Sequence, residues 1–315
     1  MHLLDLIFPK NLYCISCGRP LPVQGAQAAQ GMNAARGMNA AQGMDAVQGA
    51  QAAQGMNAAR TAWAADSISL CECCSSEIGW IAGRSCAKCG RPLADENPMD
   101  FCRDCAGSAV PAGHKARFFG RGYACALYSG RAAGLVRELK YRGRAWYADT
   151  LSASMAARYL SLADAGTGEL PWYDCLVAVP VSAGRKAARG FNQAVLLAEG
   201  ISRRTGIPLL KGALKRVRET GVMSSLTEEE RRQNLRGAFV ANCDMMKKIG
   251  GKRILLVDDV CTTGSTADAC AEALLAAHAV SVDFIVFAIG ADVRRTKGRP
   301  AVVESPGQLR AKGPT

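Results

Sequence analysis

Aromatic residues make up only 6% of the 315 residues, and the three histidines, His2, His114 and His278, fall in no motif. The chain therefore advertises neither a broad base-stacking platform nor a histidine general base. No apolar run approaches the roughly 20 residues of a membrane-spanning helix. The opening MHLLDLIFPKNLYC lacks the basic start and the apolar length of a secretory signal. The expected location is the cytoplasm, where the fourteen cysteines argue for bound metal or free thiols, with disulfides as the alternative. Positive charge, by contrast, is plentiful. The formal net charge is +12, concentrated between Lys115 and Arg144 and between Arg185 and Arg218. Such a surplus favours anionic partners, nucleotides or nucleic acid among them.

The most informative stretch is Arg253 to Thr266, RILLVDDVCTTGST. Ile254 to Val257 has the composition of a strand buried on both faces of a parallel sheet. Asp258 and Asp259 end it, and Thr262, Thr263, Gly264, Ser265 and Thr266 form a hydroxyl-rich turn. Ala267 to Ala277 then has high helix propensity. In a strand–loop–helix unit the first helical turn aims unpaired N–H groups at whatever sits above the strand end. Gly264 lets that backbone approach a ligand, and the hydroxyls can donate to a phosphate. No lysine follows Gly264 and no G-x-G-x-x-G opens the helix, which excludes the two commoner phosphate loops. Paired carboxylates repel phosphate but accept hydrogen bonds from a vicinal diol. The pattern suits a sugar with a 5′-phosphate and free 2′ and 3′ hydroxyls. A turn that merely caps its own helix is the plainer alternative. The stretch resembles the phosphoribosyl-pyrophosphate (PRPP) signature of the type I phosphoribosyltransferases.

Nine cysteines lie in the first 105 residues, as Cys14-x-x-Cys17, Cys71-Glu72-Cys73-Cys74, Cys86-x-x-Cys89 and Cys102-x-x-Cys105. CISCGRPLP at Cys14 and CAKCGRPLA at Cys86 are copies of one knuckle. The duplication implies two four-cysteine zinc ribbons, Cys14, Cys17, Cys71 and Cys74 in one and Cys86, Cys89, Cys102 and Cys105 in the other. Cys73 is spare. Four thiolates leave no open coordination position, so the Zn2+ is expected to be structural. Between the halves of the first ribbon, residues 24–59 repeat every six residues (QGMNAA and variants). Regular glycine opposes a helix, and alanine would fill a β-helix core poorly. A disordered loop closed at its base by the metal is expected, at an entropic cost that grows only logarithmically with length.

Residues 106–122 read as a linker, Tyr123–Tyr128 as a strand, Ala132–Leu139 as a helix and Trp172–Val181 as a strand. Lys140 and Arg142 read first as a solvated basic face, with phosphate contact as the alternative. Ser182 and Arg185 follow the second strand, where small and basic residues suit a diphosphate, and Arg189-Gly190-Phe191-Asn192-Gln193 opens a helix. ARGFNQAVLLA, LKYRG, RVRET…LTEEERRQNLRGAFV, the cysteine ribbon and VDDVCTTGST together resemble the ComF family. Its members join a zinc ribbon to a type I phosphoribosyltransferase domain and are associated in some bacteria with uptake of transforming DNA.

The resemblance implies an α/β fold with a mostly parallel sheet of five or so strands over residues 123–295. The double zinc ribbon would occupy 1–105 and a disordered tail 296–315. It further implies Mg2+-bound PRPP losing diphosphate as a nucleophile attacks the ribose C1. Asp258 and Asp259 would hold the ribose, Thr262 to Thr266 the 5′-phosphate, and Ser182, Arg185 and Arg189 the remainder of PRPP. Met223 stands where the family pattern has glutamine, inside the segment 216–234 expected to form a mobile hood. Cys261, inside the loop, is expected to be a spacer. The alternative function is a non-catalytic factor handling single-stranded DNA, with PRPP only a ligand.

Overall fold

The computed structural model describes residues 13–21, 69–94, 98–106, 117–162, 171–218 and 228–291. The expectations for the hexad repeats, for Met223 and for the tail 296–315 lie outside these residues. The chain divides into two compact units, Met1–Ser75 and Ser76–Thr315. The division falls between the two cysteine clusters, where the sequence had suggested a boundary after the second.

In the smaller unit, the Cys14 knuckle turns through Gly18 at φ 73°, with the Cys14 N–H donating to the Arg19 carbonyl at 2.7 Å. A short helix, α1 (Glu72–Ser76), carries Cys74 into the interior.

The larger unit opens with the second knuckle and α2 (Arg103–Ala106). It continues through β1 (Gly122–Leu127), α3 (Gly130–Tyr141), α4 (Tyr147–Leu160), β2 (Cys175–Ala178), α5 (Ala183–Arg189) and α6 (Gln193–Thr205). Next come β3 (Leu214–Arg216), α7 (Glu228–Leu235), β4 (Phe239–Ala241), α8 (Met246–Ile249), β5 (Arg253–Cys261), α9 (Ser265–Ala276) and β6 (Ser281–Ile289). A four-stranded, wholly parallel sheet has the order β1-β6-β5-β2. Its central strands are apolar on both faces, with Ile254 to Val257 and Phe284 to Ile289 at most 2% exposed. That pattern follows from coverage on both sides: α4 and α6 pack against the sheet, as does α9, which also contacts α7 and β4.

Among the described residues the sheet has four strands where five or so were expected. The position of a fifth is taken by a single parallel bridge, Leu176 to Leu209. Pro208 offers only its carbonyl to the Leu176 N–H, and without an N–H of its own it cannot extend a ladder. Instead β3 and β4 form a separate antiparallel pair. This pair flanks the expected hood, and Arg218 ties its ends together by donating to the Asn234 and Arg236 carbonyls at 2.6 and 2.9 Å. Residues 117–122, expected to be linker, are partly core, with Phe119 1% exposed and packed edge-on against Phe284. Among the described residues no helix is long and apolar enough to cross a membrane.

Candidate functional site

The site is built on the C-terminal end of β5. The strand does not stop at Val257 but runs through both acids to Cys261, because the equally long β6 keeps pairing with it as far as Cys261–Ile289. Successive strand residues present opposite faces, and the two acids find different surroundings. Asp258 lines a crevice with Thr262, Thr263, Gly264, Ser265 and Thr266. Its Oδ1 accepts the N–H of Asp259 at 2.9 Å. Burial pushes its carboxyl well above the usual carboxylate range, the neighbouring Asp259 adds to the rise, and Lys140 partly offsets it. Asp259 is 2% exposed and ion-paired with Lys140 Nζ at 2.5 Å. Burial alone would lower the Lys140 ammonium, but the Asp259 and Asp258 charges raise it. Lys140 therefore belongs to the site, and not to a solvated face.

After Cys261 the chain turns at Gly264, φ 78° in the left-handed region, and α9 begins at Ser265. A side chain at Gly264 would be strained there. Thr263 and Ser265 hydroxyls lie 2.9 Å apart, and Ser265 is buried. The unpaired N–H groups of the first α9 turn meet the crevice end of the loop, the arrangement that binds anions elsewhere. Cys261 is buried, and burial pushes its thiol up to about 12, which keeps it from acting as a thiolate.

At the end of β2, Ser182 is buried and its Oγ accepts the Arg185 N–H as the cap of α5. Arg185 itself is exposed. Arg189 Nη1 donates to Gln193 Oε1 at 3.2 Å, and its guanidinium lies over the Tyr141 ring at 5.0 Å. The RGFNQ motif has a plain structural reason. Asn192 caps α6 by accepting the Ala194 N–H and, through Nδ2, donates to the Val179 carbonyl, so one side chain fixes the helix start to the end of β2.

Sequence reasoning missed two arginines beneath the loop. Arg91, of the second CGRPL knuckle, donates Nη2 to the Thr262 carbonyl at 2.7 Å and Nη1 to Asp104 at 2.5 Å. Arg117, from the supposed linker, donates to the Thr263 carbonyl at 3.0 Å, and the next residue's N–H is held by Asp268 of α9 at 2.6 Å. The signal for Arg91 was present as the unexplained arginine of the duplicated knuckle; Arg117 carried none.

The cysteines assemble as two sets of four, Cys14, Cys17, Cys71, Cys74 and Cys86, Cys89, Cys102, Cys105. Zn–S bonds of about 2.3 Å in a tetrahedron require sulfurs about 3.8 Å apart. Cys17 and Cys71 sulfurs stand 3.6 Å apart, as do those of Cys89 and Cys102. Both sets therefore could hold zinc.

A family profile described as a phosphoribosyl transferase domain matches residues 192–304, and the larger unit is an α/β domain of that fold. Competence protein F of Haemophilus influenzae is 37% identical over 133 residues, 42% of this chain and 56% of that protein. This chain thus aligns with little more than half of that relative. The DNA utilization protein YhgH of Salmonella typhi is 30% identical over 223 residues, 68% of this chain and 93% of that protein. Competence protein ComFC of Bacillus subtilis is 25% identical over 209 residues, 65% and 78% of the two chains. Among solved structures, a glutamine PRPP amidotransferase from B. subtilis complexed with ADP and GMP is 21% identical, with 47% of this chain and 26% of that one covered. The TM-score is 0.27. The chain belongs to the ComF family.

Proposed function

We propose that the larger unit binds PRPP and transfers its phosphoribosyl group to an acceptor, releasing diphosphate. The observation that carries this reading is the adjacency of a carboxylate pair at a parallel strand end to a hydroxyl-rich loop opening α9. Asp258 and Asp259 accept hydrogen bonds from the ribose 2′ and 3′ hydroxyls. Thr262, Thr263, Gly264, Ser265 and Thr266 cradle the 5′-phosphate through hydroxyls and backbone N–H groups. Arg185, exposed at the end of β2, meets the diphosphate, and the Ser182 turn supplies backbone there. Mg2+, when bound with PRPP, would neutralise the leaving diphosphate. PRPP-dependent diphosphate release, assayed against a panel of bases and nucleic acids, tests the reading. Release that is unaffected by Asp258→Ala would refute it.

A second reading, handling of single-stranded DNA in the cytoplasm during DNA uptake, draws on the names of the relatives and on one observation. Two of the chain's few aromatics, Tyr141 and Trp146, are 69% and 62% exposed within the basic segment Lys140 to Tyr147. Arg189 stacks on one of them. Exposed rings among cations suit stacked bases. Filter binding of an oligothymidylate to wild type and to Tyr141→Ala/Trp146→Ala decides it: a loss of about tenfold supports the surface, and equal affinity removes it.

A further inference from the structure

A trans peptide points its C=O and N–H in opposite directions. Any group that grips a loop carbonyl from below therefore also aims the next residue's N–H upward. Arg91 grips the Thr262 carbonyl and so orients the Thr263 N–H, while Arg117 grips the Thr263 carbonyl and so orients the Gly264 N–H. No cis peptide interrupts this relation. Arg91 is only 3% exposed, and its guanidinium is also paired with Asp104, which holds it in place. Asp104 sits between Cys102 and Cys105 on α2, inside the second cysteine cluster. The knuckle itself is pressed onto the sheet. The Gly122 N–H donates to the Lys88 carbonyl at 2.8 Å, and a side chain at Gly90 would meet the Gly122 oxygen at 2.4 Å.

We propose that Arg91 is a positioning residue through which the second cysteine cluster sets the backbone donors of the phosphate loop. The inference deepens the PRPP reading and rests on it only for the identity of the anion. Arg91 meets the loop at its backbone. It acts through the Thr262 peptide, and its own placement depends on Cys102, Asp104 and Cys105 being held in register. Occupancy of that cluster, though remote from the reacting atoms in sequence, thereby becomes a condition for a formed 5′-phosphate site.

Hydrogen exchange over residues 262–266 tests this in the full chain, with zinc content measured alongside. Arg91→Met is expected to speed exchange there at least tenfold while zinc content stays at the wild-type value. Calorimetry should show ribose 5-phosphate affinity falling at least tenfold and inorganic diphosphate affinity changing less than twofold. Exchange unchanged at 262–266 with zinc retained would overturn the proposal, as would an equal loss for both ligands, since that marks general damage. Should Arg91→Met fail to fold, Asp104→Ala leaves the guanidinium in place but untethered, and about threefold faster loop exchange is expected; no change there also overturns it. If wild type binds no ribose 5-phosphate, the PRPP reading fails, and the exchange comparison still decides the role of Arg91.

Discussion

The two CGRPL knuckles are the same object in two settings. In both, the first cysteine N–H donates to the arginine carbonyl at 2.7 Å, the glycine sits at φ 73° or 75°, and the next N–H is held by a carbonyl of the second half, Ser69 or Asp100, at 2.8 Å. Yet Arg19 is exposed and Arg91 is 3% exposed. The local fold is dictated by the motif, since a tetrathiolate turn needs the same glycine and the same N–H bonds wherever it is placed. What the arginine does is dictated by its neighbours. The first copy ends in a self-contained unit; the second has become part of the floor of the candidate site.

The sharpest way to break that comparison is to remove one thiolate from each cluster. Cys86→Ser should abolish the cooperative transition of the larger unit, because metal binding and folding are one free energy in such sites. Cys14→Ser should leave that transition in place. Scanning calorimetry of both variants checks it, and equal effects would mean the two ribbons have the same standing. A step smaller, Lys140→Met leaves Asp259 buried without its cation and should cost the larger unit about 3–5 kcal/mol in urea unfolding, with zinc content unchanged.

The next effect is a pH dependence confined to the larger unit. The Asp258 carboxyl is raised in the folded chain from its ordinary value of 3.8. Its contribution to stability is therefore full below that value and lost as pH rises through the raised one. Asp258→Asn should flatten the fall in melting temperature on going from pH 5 to pH 8. An identical slope in both proteins would show that Asp258 is solvated. Smallest of all, Arg19→Met should change stability by less than about 0.5 kcal/mol, as surface substitutions do. A cost comparable to that of Arg91→Met in the same melting experiment would erase the distinction between the two copies.

Much of this could be read from the chain itself. The β5–loop–α9 unit and both cysteine sets rest on local pattern: an unbroken apolar run, a glycine that must take positive φ, and cysteine pairs two residues apart. What escaped is non-local. Nothing in CAKCGRPL distinguishes Arg91 from Arg19, because the partner of Arg91 is a carbonyl 171 residues away. Lys140 looked like one charge in a basic run until the fold set it against Asp259. Phe119 and Arg117 sat in a stretch of glycine, alanine and arginine whose composition resembles a linker's. That residues 207–210 add only a bridge and not a fifth strand was legible in principle, since Pro208 stands in the middle of that segment.

The Lys140–Asp259 pair also bears on how a ligand arrives. A crevice holding two ionised acids would repel a polyphosphate from several ångströms away, and at 4 Å even a well-screened pair of like charges costs about 1 kcal/mol. Here Asp259 carries an internal counterion in Lys140, and burial together with the Asp259 charge raises the Asp258 carboxyl above its usual range. The Lys140 ammonium thus offsets part of the negative charge there, in a chain whose formal charge is +12. A polyanion can approach down a favourable field before it meets the carboxylates at contact range.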